Sequence, residues 1–225
     1  MEEKSNSSSF YVIYVKRFFD ILIGIVALPF VVIFTLFVGL AIKLEDRGPV
    51  FYRAKRIGKN SKIFNMYKFR SMVVNAPNYT NPDGSTYNAP DDVRVTRVGK
   101  FIRKTSIDEI PQFINVLIGN MSFIGPRASG AGALDNYLED EIDKMKVLPG
   151  ITGYTQAYFR NGLTVREKRL KDAWYANHVT FVMDIKILFK TFVIVFKRTN
   201  IYTNVTGTNV EELKIEKETT KKIHP

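Results

Sequence analysis

Apolar residues are distributed unevenly along this chain. Phe18 to Ile42 runs for 25 residues with Asp20 as its only charge. A straight helix of that length reaches roughly 37 Å, enough to cross a hydrocarbon core of about 30 Å. Pro29, near the middle, breaks or kinks a helix. Both flanks are basic: Lys16 and Arg17 before, then Lys43, Arg47, Arg53, Lys55 and Arg56 after. Positive charge marks the cytoplasmic side of a membrane segment. A helix-break-helix at Pro29 that enters and leaves on the cytoplasmic face explains that pattern, with a single crossing as the alternative. Asp20, three residues after Arg17, predicts a local ion pair near the headgroups.

Beyond Gly48 the periodicity changes. Pro49 to Tyr52 reads as a short extended piece and Arg53 to Lys59 as a basic turn. Ile63 to Arg70 alternates as a strand does, which puts Lys68 and Arg70 on one face as a phosphate-facing pair. Asn75 to Asp92, with three prolines and many Asn and Asp, predicts a loop of the length that forms lids. Val95, Val98, Phe101 and Ile102 are spaced as on a helix, and a second helix is expected through Phe113 to Ile118, ended by Gly119-Asn120. Ser122 to Arg127 is a tight segment presenting one arginine, and Ser129 to Ala133 is a small-residue linker. Helical stripes follow at Leu134 to Met145, Thr164 to His178 and Phe181 to Phe196. In the last, Lys186, Lys190 and Lys197 form a row against an apolar face, as on a helix lying on an anionic membrane surface. Asp184 falls on the apolar side, where it requires a partner such as a buried arginine.

The fold class is therefore α+β and mostly helical, with a short sheet or hairpin. The expected organisation is a flexible N-terminus over 1–15, a re-entrant membrane anchor over 16–47, a cytoplasmic domain over 48–200 and a polar tail over 201–225. Residues 1–9 lack the basic start and cleavage site of a secretory signal. Composition narrows the chemistry. The 225 residues carry a formal net charge of +11, which predicts an anionic partner. The cationic residues form no long run and the aromatics sit in apolar stretches, so nucleic acid is a poor fit. There is no cysteine and only two histidines, which excludes a thiolate metal site or a disulfide framework.

The candidate chemistry lies in Thr105-Ser106-Ile107-Asp108-Glu109-Ile110-Pro111-Gln112. Ser106 and Glu109 have the spacing of a capping box, which predicts a helix start here with Asp108 and Glu109 in its first turn. The positive end of a helix holds such carboxylates ionised. Arg94, Arg97, Lys100, Arg103 and Lys104 precede the pair, and Arg127 follows it. Cations around a carboxylate pair lower its pKa and suit a phosphate ligand. Capping alone would also account for the Asp-Glu pair; the surrounding cations favour a site.

These residues carry a resemblance. Lys16-Arg17-Phe18-Phe19-Asp20, Gly48 to Arg53, Arg56-Ile57-Gly58, Lys68 to Met72, Arg103 to Gln112, Asn115-Val116, Gly119 to Arg127, Pro149 to Gly153 and Asp184-Ile185 together resemble the bacterial sugar transferases, the monotopic phosphoglycosyl transferases acting on polyprenol phosphate. The resemblance implies a re-entrant membrane helix at the cytoplasmic face of the bacterial inner membrane. It implies transfer of a sugar-1-phosphate from a nucleotide diphosphate sugar, usually a UDP-sugar, to polyprenol phosphate. Asp108 would be the nucleophile, Glu109 would associate with Mg2+, and Lys68, Arg103, Gln112, Arg127 and Arg160 would bind substrate. The chain departs from the family at Ala128, where a proline is usual, at Phe159, where a glycine is common, and in its long loop over 75–92. The rival of another class is a non-enzymatic adaptor binding anionic lipid at the membrane surface.

Overall fold

The computed structural model describes residues 9–79, 87, 89, 91–159 and 163–197. Arg160 and the 201–225 tail lie outside the described residues, as does most of the 75–92 loop. A π-helical turn over Tyr11–Val15 leads without interruption into α1, Lys16–Asp46. The expected flexible N-terminus is thus helical from Phe10 to Val15. Its apolar residues explain why: Tyr11 and Val12 pack against the core cluster around Tyr175, Val179 and Ile187.

Among the described residues, Tyr11–Asp46 is the one helix long and apolar enough to cross a membrane. The expected break at Pro29 does not interrupt it; α1 continues through the proline. An internal proline removes one hydrogen bond and bends a helix, while the turns on either side remain paired. The buried residues Asp20, Gly24, Val31, Gly39 and Ile42 follow helical spacing and share one face. The other faces expose large apolar side chains, among them Phe18, Val26, Phe30, Leu36, Phe37 and Leu40.

Both ends of α1 are tied to the same domain. Near the N-terminal end, Arg17 donates to the carbonyls of Val116 at 2.6 Å and Leu117 at 2.9 Å. Asp20 accepts from Ser122 Oγ at 3.1 Å and Phe123 N at 2.9 Å, in place of the expected ion pair with Arg17. Gly24 allows close approach, since a Cβ there would lie 2.6 Å from Leu117 Cδ2. Near the other end, Ile42 packs with Phe69 and Ile102. Glu45 accepts from the amides of Arg97 at 2.7 Å and Val98 at 3.1 Å, and Asp46 pairs with Arg70.

The domain itself is small elements around two strand pairs. β1, Phe51–Ile57, and β2, Ile63–Phe69, form an antiparallel hairpin in which Tyr52 faces Lys68 and Arg56 faces Phe64. Pairing with β2 draws Arg53 and Lys55 into β1, where a basic turn was expected, and leaves both side chains exposed. α2, Arg97–Lys104, and α3, Gln112–Leu117, follow; Gly119, at φ 85°, ends the second of these as predicted. β3, Ser122–Ile124, pairs in parallel with β4, Gly150–Thr152. Between them the expected stripe from Leu134 to Met145 is broken into 3-10 turns and a single-turn α4, Glu139–Ile142. α5, Tyr154–Tyr158, precedes α6, Val165–Asn177, and α7, Phe181–Lys197. Asp184 of α7 is buried as expected, but its cationic partner is Lys16 rather than an arginine, joined by the hydroxyls of Tyr11 at 2.7 Å and Tyr175 at 2.6 Å.

Candidate active site

Asp108 and Glu109 do not open an α-helix. They occupy a separate 3-10 turn, Ile107–Glu109, ahead of α3, whose N-cap is Pro111. Ser106 sits in the left-handed region at φ 58° and its side chain makes no capping bond, so the expected capping box is absent. Its backbone substitutes: the Ser106 carbonyl accepts from Glu109 N at 3.2 Å. In such a turn residues three apart eclipse one another. Ile107 and Ile110 accordingly pack together against the Ile42, Phe69 and Ile102 cluster. The end of the apolar helix α1 therefore supports the turn that carries both carboxylates.

Asn115 fixes the turn against the hairpin. It is fully buried, its Oδ1 accepts from Tyr67 N at 2.8 Å and its Nδ2 donates to the Asn65 carbonyl at 2.8 Å. One side chain thereby satisfies the free edge of β2 as a neighbouring strand would. The neighbouring β2 residue, Lys68, is brought to Glu109 Oε1 at 2.6 Å and to Asp108 Oδ2 at 3.8 Å. Arg70, expected beside Lys68, is elsewhere: the chain has left the strand, and its buried guanidinium holds Asp46 and the Pro49 carbonyl.

The two carboxyls differ electrically. Burial pushes Asp108 up to about 6, against the opposing charges of Lys68 and Arg103 and with the charge of Glu109 adding to the rise. Burial would raise Glu109 as well, but Lys68, Arg127 and a hydrogen bond from the buried Gln112 outweigh it and hold its pKa below the usual carboxylate value. Asp108 keeps 13% of its side chain exposed and is left, among the described residues, with no close side-chain hydrogen bond. It is an ionisable, under-coordinated carboxylate beside a cation, which is what a nucleophile toward phosphorus needs. Of the predicted site residues, Asp108, Glu109, Lys68, Arg103, Gln112 and Arg127 act on one locus.

Arg127 is held by a device that local patterning does not reveal. Asp172 Oδ2 accepts from the Arg127 amide at 3.2 Å, and Lys144 Nζ donates to the Arg127 carbonyl at 3.1 Å. Lys144 and Asp172 pair with each other at 3.1 Å, and Thr155 Oγ1 donates to Asp172 Oδ1 at 2.8 Å. This buried ion pair grips both sides of one residue's backbone and leaves its guanidinium exposed. Asp172 is the only acid in the second half of α6; that signal, a lone acid in a helix with a buried face, was available in the sequence.

Among the described residues no cluster of three or more His, Cys, Asp or Glu side chains could hold a metal. The donors at this locus are the carboxylates of Asp108 and Glu109. Mg2+ is commonly bound through one or two carboxylates together with substrate phosphates and water, so this donor set fits a substrate-bridged ion and not a protein cage.

Residues 11–198 match the family model described as bacterial sugar transferase. The undecaprenyl-phosphate galactose phosphotransferase of Salmonella typhimurium is 37% identical over 84% of this chain, and the chain spans 42% of that relative's length. A UDP-N-acetylgalactosamine-undecaprenyl-phosphate N-acetylgalactosaminephosphotransferase of Aeromonas hydrophila is 39% identical over 79% of this chain and 43% of its own. The exopolysaccharide production protein PSS of Rhizobium leguminosarum bv. phaseoli is 37% identical over 79% of this chain and 93% of its own. The chain thus spans less than half of the first two relatives and nearly all of the third. It belongs to the bacterial sugar transferase family.

Proposed function

We propose that this protein transfers a sugar-1-phosphate from a UDP-sugar to polyprenol phosphate at the cytoplasmic surface of the bacterial inner membrane. The observation that carries the proposal is Asp108: a partly exposed carboxylate, 3.8 Å from Lys68, on a turn packed against the end of an apolar helix. An oxygen of Asp108 attacks the sugar-bearing phosphorus. The bond from that phosphorus to the bridging oxygen breaks and UMP leaves, with a phosphosugar ester on Asp108. An oxygen of polyprenol phosphate then attacks the same phosphorus, frees the carboxylate and yields the polyprenol diphosphate sugar. Lys68, Arg103 and Arg127 stabilise phosphate charge as it shifts between these partners. Glu109 would hold Mg2+, which when bound neutralises the diphosphate of the donor.

The membrane arrangement we propose is monotopic: α1 enters and leaves on one face. It is supported by Arg17, Asp20, Ile42 and Asp46 contacting a single domain from both ends of a helix about 46 Å long. A crossing helix would carry one end to the far side of the bilayer. The exposed apolar faces of α1 and the exposed apolar residues of α7, Phe181, Val182, Ile185, Phe189 and Phe192, would then meet lipid.

The test is intact mass of the full chain in nanodiscs given a panel of UDP-sugars, with UMP release followed in parallel. An adduct of one sugar phosphate, lost in Asp108→Asn, is the expected result. A fully active Asp108→Asn protein, or liposome binding with no UMP release from any donor, sinks the proposal; the latter is the behaviour of an adaptor.

A further inference from the structure

Arg56 projects from β1 on the same face as Tyr52, whose cross-strand partner is Lys68. Its neighbouring ionisable groups are Arg127, Tyr52 and Glu109, so it borders the site described above. Its Nε is buried and has no hydrogen-bond partner, one of two such side-chain atoms among the described residues. Among the described residues no carboxylate salt-bridges it; the strongest charge acting on it is the like charge of Arg127, and burial together with that charge pushes its pKa down. A buried donor left unsatisfied on a charged group is costly, and a protein retains one where a ligand completes it. Arginine stays protonated under these conditions, and the acceptor that completes it most strongly is an anion. With Lys68 and Arg127, Arg56 makes three cations near the carboxylates of Asp108 and Glu109.

The geometry points to Arg56 as a further substrate-contacting residue, which forms with Arg127 a paired guanidinium seat for the diphosphate of the donor. The inference rests on the proposed function for the identity of the donor, but not for the presence of an anion seat. Two guanidinium forks bordering one locus suit a diphosphate better than a single phosphate, because each fork can take one phosphate group through paired N–H bonds. Lys68 is engaged by Glu109 at 2.6 Å, whereas Arg127 is exposed and Arg56 Nε has no partner among the described residues. The alternative role for Arg56 is structural. Its backbone bridges Gly130, and its side chain could serve only to fill the space beneath that segment.

Inorganic pyrophosphate separates these roles without any need for turnover. It would be titrated into the full chain in nanodiscs, in the parent, Arg56→Gln and Arg56→Lys, alongside inorganic phosphate. We expect Arg56→Gln to weaken pyrophosphate about tenfold or more and Arg56→Lys to weaken it less, with a smaller loss for phosphate. Pyrophosphate affinity within twofold of the parent in both variants would overturn the inference, even if thermal stability falls. If Arg56→Gln does not fold, Arg56→Lys carries the test, since a lysine retains the charge but not the fork. Failure of the proposed function reads differently: the parent itself would form no sugar-phosphate adduct, whatever the pyrophosphate result.

Discussion

Asp108 and Asp184 are both largely buried carboxylates facing a lysine, yet they are equipped for opposite tasks. Asp184 is met by Lys16 and by the hydroxyls of Tyr11 and Tyr175 at 2.7 and 2.6 Å. Burial and the charge of Asp184 push both phenols above their ordinary pKa, so they remain protonated donors. Both oxygens of Asp184 are engaged, by three donors in all, and it joins the N-terminal helix, α6 and α7. Asp108 has its lysine at 3.8 Å and no side-chain hydrogen bond at normal length among the described residues. A carboxylate with its lone pairs filled holds elements together. One with lone pairs to spare can form a new bond. The same comparison extends to Asp172, whose oxygens are taken by Lys144, Thr155 and the Arg127 amide.

The contrast can be broken by substitution. The largest effect on chemistry belongs to Asp108→Asn: UMP release and the covalent adduct should fall below detection, with thermal unfolding unmoved or raised. Asp184→Ala should do the reverse. Removing one partner of a buried ion pair typically costs about 3–5 kcal/mol, which a denaturant titration in detergent would show, while activity per folded molecule should persist. Intermediate effects belong to the grip on Arg127. Lys144→Met and Asp172→Asn should each lower kcat/KM for the donor by about 10- to 100-fold through misplacement of that arginine. A double-mutant cycle should show that the two losses do not add; additive losses would mean the pair does not act as a unit.

The smallest effect is in the pH dependence of stability. The folded pKa of Asp108, about 6, lies above its value in an unfolded chain. The folded state therefore binds the extra proton, and ionising Asp108 costs stability as pH rises through about 6. In metal-free buffer the parent should lose stability relative to Asp108→Asn between pH 4 and 6.5, and the difference should level off above. A flat difference across that window would show that Asp108 is as well solvated in the fold as outside it.

Much of the site was legible because its members are local. Asp108 and Glu109 are adjacent, Arg103 and Gln112 lie within one short segment, and the helix over Val165–Asn177 announces itself through the Thr164 and Glu167 capping box. What sequence reading missed depends on contacts between distant residues. Ser106 has capping spacing, but tertiary packing of Ile107 and Ile110 twists it into the left-handed region. Arg70 alternates correctly with Lys68, but Asp46 draws it away at the strand end. Asn115 has no periodic signature, because it serves partners 48 and 50 residues away, and Asp172, a lone acid in its half of α6, does not itself point to a partner 45 residues away. The long apolar stretch was legible as helical, whereas its continuity through Pro29 and the contacts that tie both of its ends to one domain were not.

That attachment at both ends has a further consequence. If α1 is the monotopic anchor proposed above, it has no opposite leaflet to reach, and hydrophobic mismatch places no demand on its length. Catalysis should be indifferent to acyl-chain length over bilayers that would strain a spanning helix. It should respond instead to whatever alters the packing of the one leaflet that such an anchor would enter. The enzyme would then work equally well in thin and thick membranes, and lateral pressure near the headgroups would become the property of the lipid that it senses.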